Sequence, residues 1–372
     1  MRNSFSKSSL RLCVSAVISL LSLQAQTLER AETFWKQQQY EAASAEFRAL
    51  VAAQPKNPDY RVRWGRLFLE RFNGAEAAKL FEEALQIKKD HAGALLGLAL
   101  VAAEDFEGKA VELAQEALVA DPKLTEARVL LARLALEDND PARAAEEADK
   151  ALAISPDALD AMAIHAAIDL LNDQPETPWV GRVLAKNARY GQAYALVAHF
   201  FILNRRYEEG IAYYRKALDL EPDLWSARSQ LGINLMRLGF VDEARTELEQ
   251  SYSHHYRDAA TVNTLRLLDS YKNFVTYQTP ATILKLHTKE AALLRPYFES
   301  ELERALATYE RKYGLKLDRP VQVEVYPDHE DFAVRTAGMP GLGALGVTFN
   351  RVIAMDSPSG RPPGKGQPRR SP

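Results

Sequence analysis

Histidine, cysteine and clustered carboxylates are the side chains best suited to hold a metal or move a proton. A hydrolytic zinc site needs three protein ligands, an open position for water and a general base close to that water. Two histidines four residues apart on one helical face would begin such a set. The seven histidines are His91, His165, His199, His254, His255, His287 and His329, and no two stand four apart. The single cysteine, Cys13, permits neither a disulfide framework nor a cysteine zinc site within the chain. His254 and His255 are adjacent, and neighbouring helical residues point about 100° apart, so they read as surface histidines. Asp328, His329, Glu330 and Asp331 form a charged cluster whose simplest reading is a helix cap. His287 stands alone on a strand. These residues supply no metal site.

Two glycine-rich stretches need the same scrutiny. Gly341, Gly343 and Gly346 match the spacing of a dinucleotide-binding loop, which must follow a strand and open a helix. Here the glycines lead into a strand, so that match is rejected. Residues 360–366 have the wrong spacing for a phosphate loop and no serine or threonine after Lys365. No cofactor is expected from these motifs. With 47 basic residues against 50 acidic ones, the net charge of −3 gives no field of one sign to draw nucleic acid or an anionic membrane.

The elements that would position any site repeat along the chain. In residues 224–250, apolar residues recur at three- and four-residue steps on each side of Gly239, as in two short helices joined by a tight turn. One such hairpin cannot bury its apolar face alone, so copies should stack. The small residue that lets the second helix approach the first recurs as Ala43, Ala77, Ala110, Ala144, Gly210 and Ala244, at spacings of 34, 33, 34, 66 and 34. Leu50, Ala84, Ala117, Ala151, Ala217 and Ser251 repeat the same spacings. Prolines close several units, at Pro55, Pro122, Pro156 and Pro222. The unit at 159–190 is degenerate: Pro175 and Pro178 stand where the turn and second helix should begin, which predicts a lengthened loop and a shortened helix.

A period of about 34 with small, aromatic and proline positions in this order resembles the tetratricopeptide repeat. The resemblance implies about seven units over residues 26–272, ending in a capping helix near 258–272. Its implied fold is a superhelical α-solenoid whose concave groove takes protein or peptide segments. By repeat position, Gln192, His199, Ser226, Ser229 and Met236 would line that groove. They do not reproduce the lysine, arginine and asparagine set that clamps a terminal carboxylate in some relatives.

The chain begins differently. Arg2, Lys7 and Arg11 precede an apolar run, 12–23, followed by Gln24 and Ala25. A basic start, a short apolar core and a small residue describe a secretory signal peptide over residues 1–25. The run is shorter than the ~20 residues that span a bilayer. Cleavage near Ala25 would leave a mature charge of −6, no cysteine and no membrane span.

Past residue 273 the period is lost. Thr282–His287 alternates as a strand, residues 293–313 form an amphipathic helix ended by Gly314, and Val321–Tyr326 alternates again. Asp328 suits a helix start, and a glycine-rich loop at 338–346 leads to a second strand at 347–355. This order, in the segments TYERKYGLKL, VQVEVYPDHEDF, GLGALG and RVIAMDSP, resembles the N-terminal part of gluzincin-type zinc metallopeptidase domains. That resemblance implies that Val352, Ile353, Ala354 and Met355 form the strand at the substrate edge, and that a His-Glu-x-x-His helix and its zinc follow. No such motif occurs here. Residues 357–372 carry five prolines, three glycines and four basic residues, a composition expected to be disordered.

The expected architecture is therefore mainly α: a tetratricopeptide-repeat solenoid followed by a small, incomplete α+β segment at 273–356. The expected function is an exported scaffold, periplasmic or secreted, that binds protein or peptide segments and has no catalytic site in the chain as given. The alternative is a truncated or frame-shifted part of an exported zinc metallopeptidase.

Overall fold

The computed structural model describes residues 28–104, 108–314, 316–341 and 343–360. The expected signal peptide, 1–25, and residues 361–372 of the expected tail lie outside them. The described chain is mainly helical, with a small mixed sheet near its C-terminus. Helix follows helix in antiparallel pairs: α1 (residues 28–36) with α2 (Tyr40–Ala53), α3 (Pro58–Glu70) with α4 (Gly74–Ile87), α5 (Ala92–Glu104) with α6 (Lys109–Ala120), and α7 (Thr125–Glu137) with α8 (Pro141–Ile154). After α9 (Leu159–Leu171), the short α10 (Pro178–Lys186) follows a loop, with Pro178 at its first position and the Thr177 hydroxyl accepting from the Trp179 amide. Two further pairs are α11 (Gln192–Leu203) with α12 (Tyr207–Leu220) and α13 (Trp225–Arg237) with α14 (Val241–Ser253), before α15 (Ala259–Ser270).

The small-residue series explains the pairing. Ala43, Ala77, Ala144 and Ala244 have no exposed surface, and neither do Ala84, Ala117, Ala151, Ala217 and Ser251. Helices approach so closely that a Cβ on Gly232 would lie 2.6 Å from Leu248 Cγ and 3.0 Å from the Ala244 carbonyl oxygen. The turn inside most pairs places one residue in the left-handed region: Gln38, Phe72, Asn139, Asp173, Arg205 and Gly239, with φ of 56–60° except for 88° at Gly239. Of these six, only Gly239 escapes the Cβ penalty of that conformation.

Two compact units divide at 161/162, within α9. Residues 28–161 hold stacked helix pairs alone. In the second unit, the last helix pairs are joined by a 3-10 turn at Tyr271–Asn273 to a five-stranded sheet. The loss of the repeat period at 273 thus marks a change of element type, whereas compactness groups the sheet with the repeats before it.

The sheet is ordered β1 (Phe274–Gln278), β2 (Thr282–His287), β3 (Val321–Tyr326), β5 (Val352–Asp356), β4 (Gly346–Phe349). β2, β3 and β5 are parallel, and the outer strands pair antiparallel. Parallel neighbours require crossovers, which α16 (Ala291–Tyr313) and α17 (His329–Ala337) supply. Leu284, Leu286, Val323 and Val325 face Leu294, Phe298 and Leu302 of α16. Tyr326 and Ala354 on the other face share a core with Phe332 and Val334 of α17, Leu267 and Leu268 of α15, and Leu231, Leu235 and Met236 of α13.

Three expectations are corrected here. The strand expected at 347–355 is a hairpin: Asn350, at φ 51°, turns the chain between β4 and β5. Val352, Ile353, Ala354 and Met355 consequently lie on β5, between β3 and β4, and have no free edge. Residues 357–360 of the expected tail are instead held in place, since the buried Ser357 amide donates to the Tyr326 carbonyl at 2.7 Å and the Gly360 amide to the Ser357 carbonyl at 3.0 Å.

Candidate ligand-binding face and the buried junction beside it

The repeat register assigns five residues to the inner face of the second unit, and the structure divides them. Gln192, on the first turn of α11, is exposed, and His199 on the same helix is half-buried. Ser226 is half-buried on α13. Ser229 is fully buried, with its hydroxyl 2.5 Å from that of Thr261 on α15. Met236 is 2% exposed and sits in the core shared with α17 and the sheet. Neither Ser229 nor Met236 can line an open groove. The register places them on the correct side of α13, but this chain covers that side with its own later residues.

The same register finds side chains in the first unit that were not singled out from the sequence. Gln192 and Ser226 stand 18 residues before Gly210 and Ala244; Asp59 and Glu126 stand 18 before Ala77 and Ala144. His199 stands 11 before Gly210; Arg66 and Arg133 stand 11 before Ala77 and Ala144. These positions form a charged face. Arg66 of α3 makes a bidentate pair with Glu126 of α7, at 2.5 and 2.9 Å. Arg63, one turn earlier, pairs in the same manner with Glu32 of α1, at 2.7 and 2.6 Å. The Asp59 carboxylate is 2.9 Å from His91 Nε2. Between α3 and α7 in sequence, α5 carries no charged residue from Ala92 to Ala103 and presents half-buried Leu98 and Val101. The charged helices α3 and α7 thus stand on either side, in sequence, of an uncharged α5. Arg63 is 47% and Glu126 51% exposed, so both pairs stay open to exchange with solvent or a ligand.

In the second unit the inner side of α13 meets a polar network instead. Glu324, on the middle of β3, is 1% exposed. Its carboxylate accepts from Gln322 Nε2 at 2.5 Å, the Tyr326 hydroxyl at 2.8 Å and Arg335 Nε at 2.6 Å. Lys285 Nζ of β2 lies 3.6 Å away. Burial pushes the Glu324 carboxyl up, but the charges of Arg335 and Lys285 and the donated hydrogen bonds outweigh it, so it is held below the usual range. Burial, with Glu324 close by, pushes the Tyr326 phenol well up; its hydroxyl is 2.7 Å from that of Tyr271, itself raised mainly by burial. Arg335 Nη2 reaches the Arg237 carbonyl at 3.4 Å, and Arg237 Nη2 reaches the Thr336 carbonyl at 3.2 Å. These bonds tie α17 to the end of α13.

The other residues weighed for chemistry fall into structural roles. The Asp328 carboxylate accepts from the Glu330 amide at 2.8 Å and so caps α17. His254 stacks on Trp225 at 3.9 Å between ring centroids. The His287 ring packs edge-on against Phe274, and His329 Nδ1 lies 3.0 Å from Asp356 Oδ2. Among the described residues no three His, Cys, Asp or Glu side chains are grouped so as to hold a metal ion. Among the same residues no helix is long and apolar enough to cross a membrane.

Tetratricopeptide repeat profiles match the chain at residues 28–92, 94–158 and 191–224. The chain carries tetratricopeptide repeats, and these matches do not extend past residue 224. No curated protein matches it at a significant level. Similar solved structures include a tetratricopeptide repeat protein from Parabacteroides merdae, with 17% identity, covering 66% of this chain and 98% of that one at a TM-score of 0.45. A thermophilic repeat protein from Thermus thermophilus has 18% identity, covering 48% and 99%, with a TM-score of 0.40. YrrB, a repeat protein described as having an unusual peptide-binding site, has 15% identity, covering 49% and 95%, with a TM-score of 0.32.

Proposed function

We propose that this protein is a scaffold that holds an extended protein segment against the inner helices α3, α5 and α7. One observation carries the reading. The positions 11 and 18 residues before the small residue carry partly exposed charges on α3 and α7, among them the Arg66–Glu126 pair, whereas on α13 they hold Ile233, buried in the core shared with α17 and the sheet, and half-buried Ser226. An extended segment can lay apolar side chains on Leu98 and Val101 while its polar groups exchange with the Arg63 and Arg66 pairs. The test is capture of binding segments from a random peptide display library by the full chain. Selected peptides should lose binding to an Arg63→Ala, Arg66→Ala, Leu98→Ser variant and keep it with Gln192→Ala. Equal binding to both variants would remove α3, α5 and α7 from the site.

Export belongs to the same proposal and rests on Arg2, Lys7 and Arg11 before the apolar run 12–23. Expression from the native start should give extracytoplasmic protein that begins near Gln26, read by N-terminal sequencing; intact residues 1–25 on exported protein would contradict cleavage. The metallopeptidase alternative draws on the element order β2, α16, β3, α17, then the β4–β5 hairpin. Coding sequence for His-Glu-x-x-His within about 40 residues downstream of Asp356, in any frame, is its requirement.

A further inference from the structure

Charge does not balance at the junction of α13, α17 and the sheet. Three cationic groups converge there, Arg237, Arg335 and Lys285, and Glu324 is the only carboxylate they meet among the described residues. That carboxylate is already engaged, accepting from Gln322, Tyr326 and Arg335. Arg335 is 2% exposed, and its Nη1 is buried without a hydrogen-bond partner among the described residues. Arg237 directs Nη1 to Asn234 Oδ1 at 2.9 Å and Nη2 to a carbonyl, forms no ion pair among the described residues, and leaves Nε buried and unpartnered. Burial lowers the Arg237 guanidinium from its ordinary value, and the charge of Arg335 adds to that. The Phe349 ring lies 5.6 Å from each guanidinium carbon; Arg335 is buried and Arg237 half-buried.

A buried guanidinium without a counter-charge is strongly unfavourable, because desolvation is not repaid by an ion pair. An apolar residue at 237 would avoid that cost. Two guanidinium groups beside one aromatic ring, each with a spare N–H, instead offer a donor set for a negative charge. We propose that this junction binds one small monovalent anion, such as chloride, between Arg237 Nε and Arg335 Nη1. Such an anion would tie the docking of α17 on α13 to the anion concentration around the protein.

The experiment uses the full chain. Thermal unfolding is followed in sodium chloride and in sodium gluconate, whose anion is much larger than chloride, at matched ionic strength. Chloride should raise the midpoint by roughly 2–4 °C per tenfold increase above its dissociation constant, and gluconate should not. Arg237→Met should abolish the difference between the two salts. Identical dependence in both salts, or a difference that survives in Arg237→Met, overturns the proposal. Should Arg237→Met fail to fold, crystals of the unaltered protein in sodium bromide provide the second test. An anomalous peak between the two guanidinium groups supports the site, and its absence there overturns it.

Discussion

Arg335 Nε donates to Glu324 Oε2 at 2.6 Å, and neither side chain is more than 1% exposed. Removing Glu324 leaves Arg335 charged, buried and without its carboxylate, and removing Arg335 leaves Glu324 with only the more distant Lys285, changes that cost about 3–5 kcal/mol. Arg335→Leu and Glu324→Gln should each lower the unfolding free energy of the full chain by about that amount in urea titration. Losses below about 1 kcal/mol would show that the junction relaxes around an unpaired charge.

The same pair predicts a pH dependence of definite sign. The folded-state carboxyl of Glu324 lies below its ordinary value, so its contribution is fully present above the unfolded-state pKa, about 4.3. The contribution is lost as pH falls from there through the lower folded-state pKa. The stability gap between the unaltered chain and Glu324→Gln should therefore be constant from about pH 6 to 8 and narrow below about pH 4.3. A gap that widened on acidification would contradict the assignment.

Helix contacts in the repeats can be tested at Gly232. A Cβ there would sit 2.6 Å from Leu248 Cγ, with the Ala244 carbonyl oxygen at 3.0 Å blocking escape on the other side. Gly232→Ala should destabilise by about 1–3 kcal/mol despite the higher helix propensity of alanine. Phe72→Gly should move the other way by up to about 1 kcal/mol, since Phe72 holds a φ of 57° while 39% exposed. Denaturant midpoints of the two variants should fall on opposite sides of the parent.

Much of this fold was legible because its physics is local. The positions of Ala77, Ala144 and Ala244 repeat since each helix pair solves the same packing problem within 34 residues. β2 and β3 were legible because a sheet with two unlike faces imposes alternation on each strand. The β4–β5 hairpin escaped because Asn350 and Arg351 interrupt one apolar run without a glycine or proline to mark the turn. Ser229 and Met236 were misplaced for a different reason. Repeat register says which side of α13 a residue occupies, while the residues that cover that side, Thr261, Tyr326 and Phe332, lie roughly 30 to 100 positions later. The charged face of α3 and α7 was available from the register, but the more regular later units point first to Gln192 and His199.

The covered side of α13 also decides what a shortened chain should do. Repeat arrays tolerate truncation when each unit touches only its neighbours, which would make residues 26–272 a stable fragment. Here Leu235, Met236, Leu267 and Leu268 are each at most 2% exposed and share their core with Tyr326, Phe332, Val334 and Ala354. Removing residues 273–372 uncovers that apolar surface and leaves Arg237 without the Thr336 carbonyl. Loss of a large buried side chain's cover costs about 1.5–3 kcal/mol each, more than the last helix pairs can absorb. The fragment should retain helical circular dichroism from residues 28–161 but bind a hydrophobic dye and exchange the amides of α13 to α15 rapidly. Amide exchange in α13 that is as slow in the fragment as in the full chain would mean that the sheet only rests on the repeats and does not complete their core.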